Sequence, residues 1–243
     1  MNAKVNTADK GLKALYNPCF ESLCTKNHTT DKHFNPLLIK CPEHYFDDNN
    51  VRIMVIGDAT KRWYKDLFIN DVDECLDCYK TFVKQKDKKS IGCYEQYEFV
   101  DSLNKIVNGD NAVDNIIWTN VYKTTENVSF TNAIPGRSEQ CRIWRQMHLD
   151  ITAKEIQILK PEFVFFITGN DMRNDSTYIN GCLGWDIHFV EVKEDKDMAM
   201  VIGRSKKMDY ICFRLPNPGK ESPKRNQQIL ELTKKIISNY RHN

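Results

Sequence analysis

Four apolar runs, each ending in small or polar residues, constrain this chain more than any other feature. They are Ile-Met-Val-Ile-Gly-Asp-Ala-Thr (53–60), Trp-Thr-Asn-Val-Tyr-Lys (118–123), Leu-Lys-Pro-Glu-Phe-Val-Phe-Phe-Ile-Thr-Gly (159–169) and Arg-Leu-Pro-Asn-Pro-Gly (214–219). Strands buried on both faces of a parallel sheet read as continuous hydrophobic runs, and ligands bind where loops leave their carboxyl ends. The polar residues at these ends, Asp58, Asn120, Lys123 and Asn217, are therefore expected around one pocket.

The rest of the pattern agrees with an α/β architecture. Arg52–Ile56 reads as a buried strand, with Gly57 where the chain turns off it. Phe99, Leu103, Ile106 and Val107 recur at helical spacing, giving a helix over Glu95–Val107 closed by Asn108-Gly109. Asn115–Trp118 is a second, short strand feeding into Asn120. Ser138 stands as N-cap of a helix with Trp144, Met147, Ile151 and Ile158 on one face, stopped by Pro161. Phe163–Ile167 is a third strand and Ile187–Val192 alternates like an edge strand. Tyr210–Leu215 precedes a terminal helix around Ile229, Leu232, Ile236 and Tyr240. Strands alternating with helices argue for a mostly parallel sheet covered on both faces. Residues 1–50 are turn-rich, show no sustained period and read as an N-terminal extension or cap; 51–243 form the α/β domain.

At 243 residues and 41% hydrophobic the chain can bury one substantial core. No run approaches the roughly 20 apolar residues of a membrane span, and Lys4, Asp9 and Lys10 interrupt any signal-peptide core, so a soluble, intracellular protein is expected. Nine cysteines, an odd number, suit a reducing compartment. A net charge of +2 does not by itself indicate a nucleic-acid partner. Its distribution is more telling, with ten Lys/Arg against three acids between Arg204 and Arg241, while 66–77 is acidic.

Each strand end admits two readings. Asp58 either caps backbone N–H groups in a turn or orients a water and stabilises a developing cation. The run lacks Gly-x-Gly-x-x-Gly, which disfavours a dinucleotide site. Asn120 is either a structural amide or a donor–acceptor pair for the edge of a pyrimidine. Lys123 reads as a solvated or phosphate-facing charge. The turn 216–223, pinned by three prolines and followed by Lys224-Arg225, is either an ordinary pre-helix turn or a rigid loop against a phosphodiester.

Taken together, the four segments resemble the uracil-DNA glycosylase superfamily over about residues 51–240. The similarity is greatest to the bacterial and archaeal branch that carries an iron–sulfur cluster. Gly57-Asp58-Ala59-Thr60 is similar to that branch's Gly-Glu-Ala-Pro-Gly, and Thr119-Asn120-Val121-Tyr122-Lys123 to its Thr-Asn-Val-Val-Lys. Cys141, Leu159-Lys160-Pro161 and Phe163–Gly169 stand where those enzymes have a helix cysteine, Leu-Lys-Pro and a strand ending in Gly. Asn217-Pro218-Gly219 replaces the usual His-Pro-Ser, as the mismatch-specific branch also has Asn first.

The resemblance implies a three-layer α/β/α sandwich around a short, mostly parallel four-stranded sheet. It further implies hydrolysis of the N-glycosidic bond of uracil or another modified base after base flipping, with no metal or organic cofactor. Asp58 and Asn217 would be catalytic, and Asn120 would bind the base. An aromatic from Trp63, Tyr64 or Phe68 would stack on it, and Lys123, Lys220, Lys224 and Arg225 would hold phosphates of single- or double-stranded DNA. A monomer is expected. Thr124 stands where the cluster-bearing enzymes place a cysteine, so no cluster is expected at that site. The altered first and last motifs keep two alternatives open: a catalytically impaired member that binds nucleic acid or modified nucleotides, and an interaction scaffold using 1–50 and 60–95.

Cys19, Cys24, His28, His33, Cys41 and His44 have irregular spacing, read as buried thiols and surface imidazoles rather than a zinc site. Cys75 and Cys78 read as a helical i, i+3 coincidence, and His148 as a structural residue within a helix.

Overall fold

The computed structural model of the chain describes residues 2–26, 33–59, 69–84, 94–109, 116–123, 139–168, 189–193, 195–201 and 210–241. Its helices are α1 (Ala3–Tyr16), α2 (Phe20–Leu23), α3 (Val72–Lys84), α4 (Tyr94–Asn108), α5 (Glu139–Leu159) and α6 (Pro223–Arg241). Strands β1 (Thr25–Lys26) and β2 (His33–Phe34) form a small antiparallel ladder. The central sheet contains β3 (Ile53–Ala59), β4 (Ile116–Tyr122), β5 (Phe163–Phe166), β6 (Phe189–Val192), β7 (Asp195–Val201) and β8 (Ile211–Arg214) in the order β4-β3-β5-β8-β7-β6.

The first four strands of that order are all parallel, with helices around them, which is the α/β/α sandwich expected from the sequence. The β6–β7 hairpin extends the sheet antiparallel from β8 and leaves β6 at the rim, where its alternating pattern placed it. Phe163, Phe165 and Phe213 pack together across β5 and β8, the last two stacked with centroids 4.9 Å apart and ring planes nearly parallel.

The local signals act through recognisable groups. Asp71 Oδ1 accepts from the Glu74 N–H at 2.9 Å at the start of α3, while Glu74 accepts from the Asn70 N–H. Gly109, at φ 87°, terminates α4, a conformation that costs glycine little. Ser222 accepts from the Arg225 N–H and Pro223 opens α6, where a missing N–H is no loss. Pro161 follows the end of α5 as expected, and Ser138 lies outside the described residues.

Three expectations are corrected. The second strand does not end at Trp118 but runs to Tyr122, so Asn120 lies inside it. Nor does the chain turn at Gly57: β3 continues through Ala59, paired Gly57↔Asn120 and Ala59↔Tyr122, because the ladder to β4 persists there. Finally, residues 1–50 contain a sustained period. Val5, Ala8, Leu12 and Tyr16 are buried along one side of α1, which packs on α5. The intervening lysines and polar residues dilute that signal.

Strand β4 is the edge strand opposite β6, and its open edge is covered. The Tyr79 hydroxyl of α3 donates to the Trp118 carbonyl at 3.0 Å and accepts from its N–H at 3.1 Å. Further along, the buried segment 35–39 crosses it, the Leu37 N–H donating to the Lys123 carbonyl at 2.6 Å. Among the described residues, no helix is long and apolar enough to cross a membrane.

Candidate functional site

The carboxyl ends of the four parallel strands form one row. Gly57 pairs with Asn120, the Ile167 N–H donates to the Ile56 carbonyl, and the Leu215 N–H to the Phe166 carbonyl. Asp58, Asn120 and Asn217 therefore belong to strand ends on the same side of the sheet. Interstrand spacing puts the β4 and β8 ends about 14 Å apart, with β3 and β5 between them. Of Asp58 the structure describes the backbone, one residue beyond Gly57 in β3.

Asn120 is 6% exposed, and its amide lies directly over the Gly57 backbone. A Cβ at position 57 would stand 2.3 Å from Asn120 Oδ1, closer than carbon and oxygen can approach, so only glycine permits this placement. The Trp118 indole shares that face of β4. Its Nε1 is 3.6 Å from the same point, and its ring packs on Phe82 of α3 with centroids 5.6 Å apart. Nε1 is buried without a hydrogen-bond partner among the described residues, as is Thr168 Oγ1 just beyond β5.

Asn217 caps a 3₁₀ turn over Pro218–Lys220: its Oδ1 accepts from the Gly219 N–H at 3.0 Å, and its carbonyl accepts from the Lys220 N–H.

Lys123 requires the plainest correction. It faces no phosphate: its side chain is fully buried, with Nζ 2.5 Å from Glu155 Oε2 and 2.7 Å from Thr119 Oγ1. Glu155, equally buried on α5, accepts at Oε1 from the Tyr16 hydroxyl of α1 at 2.7 Å. The Lys123 N–H donates to His148 Nδ1 at 3.1 Å. Burial, then the neighbouring Lys123 charge, lowers the His148 pKa to about 3, so its ring is neutral and accepts there. Burial foremost, and then Glu155, raise the Tyr16 hydroxyl well above its ordinary range.

The sequence reading missed Glu155, although a signal was present: Ile151, Glu155 and Ile158 fall at i, i+4 and i+7, placing a carboxylate on an apolar face.

Of the remaining cations expected on phosphate, Lys220 and Lys224 are exposed. Arg225 forms a two-pronged ion pair with Asp195 of β7, at 2.6 and 2.8 Å, which anchors α6 to the hairpin. Trp63, Tyr64 and Phe68 lie outside the described residues. Within the acidic stretch, Asp73 pairs with Lys13 and Asp77 with Lys40, joining α3 to α1 and to the segment before β3.

Among the described residues, no three His, Cys, Asp or Glu side chains gather as metal ligands. The thiols of Cys41 and Cys75 are pushed up mainly by burial, and that of Cys24 to about 11, so they are protonated at neutral pH. His44 is exposed and pairs with Asp47. His28 lies outside the described residues.

No protein-family model matches the chain, and comparison with curated proteins finds no match.

Proposed function

We propose that the protein is a DNA base glycosylase that hydrolyses the N-glycosidic bond of uracil or another modified base. The observation that carries the reading is the Asn120 amide seated on Gly57 at the carboxyl end of adjacent parallel strands, with Asp58 next in sequence. An amide held by a backbone contact is pre-oriented, and pre-orientation is what recognition of a flipped base edge needs. The motif resemblance over residues 51–240 supplies the chemistry.

As the bond breaks, the sugar gains oxocarbenium character and the base departs as an anion. The Asp58 carboxylate stabilises the cation or orients the attacking water. Asn120 pairs with the base edge, and Asn217 hydrogen-bonds the leaving base or the water. Lys220 and Lys224 hold flanking phosphates from the turn and the first turn of α6.

The alternative is a superfamily member that binds nucleic acid or modified nucleotides without cleaving, which the altered first and last motifs, Gly57-Asp58-Ala59-Thr60 and Asn217-Pro218-Gly219, would permit. The commitment of Lys123 and Arg225 to Glu155 and Asp195 leaves Lys220 and Lys224 as the cations proposed for phosphate in both readings. The two readings separate in a base-release assay on oligonucleotides containing uracil, hypoxanthine or a mismatch, single- and double-stranded. Release by wild type, reduced at least about 10²-fold in Asp58→Asn, supports the enzyme. DNA binding with no release from any substrate refutes it in favour of the binding protein.

A further inference from the structure

We propose that Thr168 is a further catalytic residue of the base-release site, its hydroxyl holding the attacking water together with Asp58. The proposal rests on the glycosylase reading and adds to it the residue that selects and orients the nucleophile. Three observations carry it. Thr168 is the first polar residue after the buried apolar run Phe163–Ile167, and it is itself only 4% exposed. Its Oγ1 is buried without a hydrogen-bond partner among the described residues. Its strand, β5, lies between β3 and β8, the strands that lead to Asp58 and Asn217.

Register makes the third observation specific. Ile56 pairs with Phe166 and Phe166 with Arg214, and the Ile167 N–H still donates to the Ile56 carbonyl at 2.9 Å, so β5 keeps step with β3 to its end. Two residues on, Thr168 falls beside Asp58 on one side and beside Pro216, the neighbour of Asn217, on the other. At an interstrand spacing of about 5 Å, groups on adjacent strands are close enough to share one water.

Leaving a buried hydroxyl unbonded costs stability, and where a fold retains one it ordinarily serves an ordered water or a reaction. Thr168 Oγ1 accepts one O–H of the water while the Asp58 carboxylate accepts the other, which leaves a lone pair of the water for C1′ of the sugar. The water oxygen bonds to C1′ as the C1′–N bond breaks, and the bonding pair leaves with the base. The proton shed by the water goes to the Asp58 carboxylate and from there to solvent, which reprotonates the base. Two acceptors favour water over methanol, which has a single O–H to give.

The test compares wild type, Thr168→Val and Thr168→Ser in single-turnover base release, on whichever oligonucleotide wild type cleaves among those carrying uracil, hypoxanthine or a mismatch. Valine keeps the shape and removes the hydroxyl, whereas serine keeps the hydroxyl. Thr168→Val is expected to lower the rate at saturating enzyme about tenfold, with the enzyme concentration for half-maximal rate unchanged. Thr168→Ser should restore most of that rate. In water–methanol mixtures Thr168→Val should give a larger share of methyl glycoside than wild type, a change that a merely structural hydroxyl would not produce. It should melt no lower than wild type, because no bond within the fold is lost.

If Thr168→Val melts below wild type, cleaves at the wild-type rate or keeps the wild-type product ratio, or if Thr168→Ser is no faster than Thr168→Val, the inference fails while the glycosylase reading stands. If wild type releases no base from any of these oligonucleotides, the glycosylase reading fails and takes the inference with it.

Discussion

Replacing Glu155 with Gln tests the buried charge network most directly. Glu155 and Lys123 are both fully buried, 2.5 Å apart, and the same carboxylate accepts from Tyr16. The substitution preserves shape but leaves an ammonium in the core without its counter-charge, a change that costs about 3–5 kcal/mol where such pairs have been broken. For a chain of this size each kcal/mol lowers Tm by about 2–4 °C, so the variant should melt roughly 6–20 °C below wild type. Urea unfolding followed by circular dichroism should give the same loss with an unchanged m-value. The double variant Lys123→Met, Glu155→Leu removes both charges and should recover at least half the loss. What remains is the Tyr16 hydroxyl proton, left without its acceptor, and the Thr119 hydroxyl, which loses its contacts with both charges. A Glu155→Gln protein within about 1 kcal/mol of wild type, or a double variant no more stable than the single one, would refute the reasoning.

Gly57→Ala should drive the Asn120 amide off its seat, since Cβ and Oδ1 cannot coexist at 2.3 Å; base release or uracil binding should fall at least about tenfold, with about 1–3 kcal/mol lost in urea unfolding. His148 stays neutral in the fold down to about pH 3, whereas the unfolded chain takes up a proton below about 6.5, so the unfolded state binds more protons and stability falls as pH drops through that window. At pH 4.5 this amounts to a loss of roughly 3 kcal/mol, and unfolding titrations should show His148→Gln losing that much less than wild type between pH 7 and 4.5. Lys220→Ala with Lys224→Ala should weaken DNA binding without lowering Tm, and should reduce the slope of log K against log salt by about 0.9 for each phosphate no longer neutralised; a slope equal to that of wild type removes them from the interface.

How much was legible in the sequence depended on what each residue faces. Phe163–Phe166, buried on both sides, is apolar throughout and could be read only as an inner strand. The alternation of Phe189–Val192 reflects its place on the rim. Its partner β7 (Asp-Lys-Asp-Met-Ala-Met-Val) carries three charges in its first three residues, which leaves its apolar half, Met-Ala-Met-Val, short enough to pass unread as a strand. Helix α1 was missed because four buried positions in 14 residues, one of them an alanine, leave a faint stripe among lysines and polar side chains. At the site, the placement of Asp58, Asn120 and Asn217 at one end of the sheet followed from strand direction alone. The environment of Lys123 did not, because its partner Glu155 lies 32 residues away on helix α5.

The segment Thr119–Lys123 also shows how strand alternation divides the residues of one short segment between two roles. Along a strand, successive side chains face opposite sides. Thr119 and, four residues on, Lys123 turn toward α5 and meet Glu155 in the core, while Trp118 and Asn120 turn the other way and meet at Gly57. One short stretch thus carries a structural face and a candidate recognition face in alternation, and the lysine belongs to the first. The two faces are mechanically joined, because the charge network under β4 fixes the height and register of the strand that presents Asn120. Replacing Lys123 should therefore reduce base release through lost stability, with the salt dependence of DNA binding left intact in the folded fraction. Replacing Lys220 should do the reverse. A Lys123→Met protein that melts like wild type but binds DNA with a shallower salt slope would return the lysine to the phosphate and undo the division of the strand into two faces.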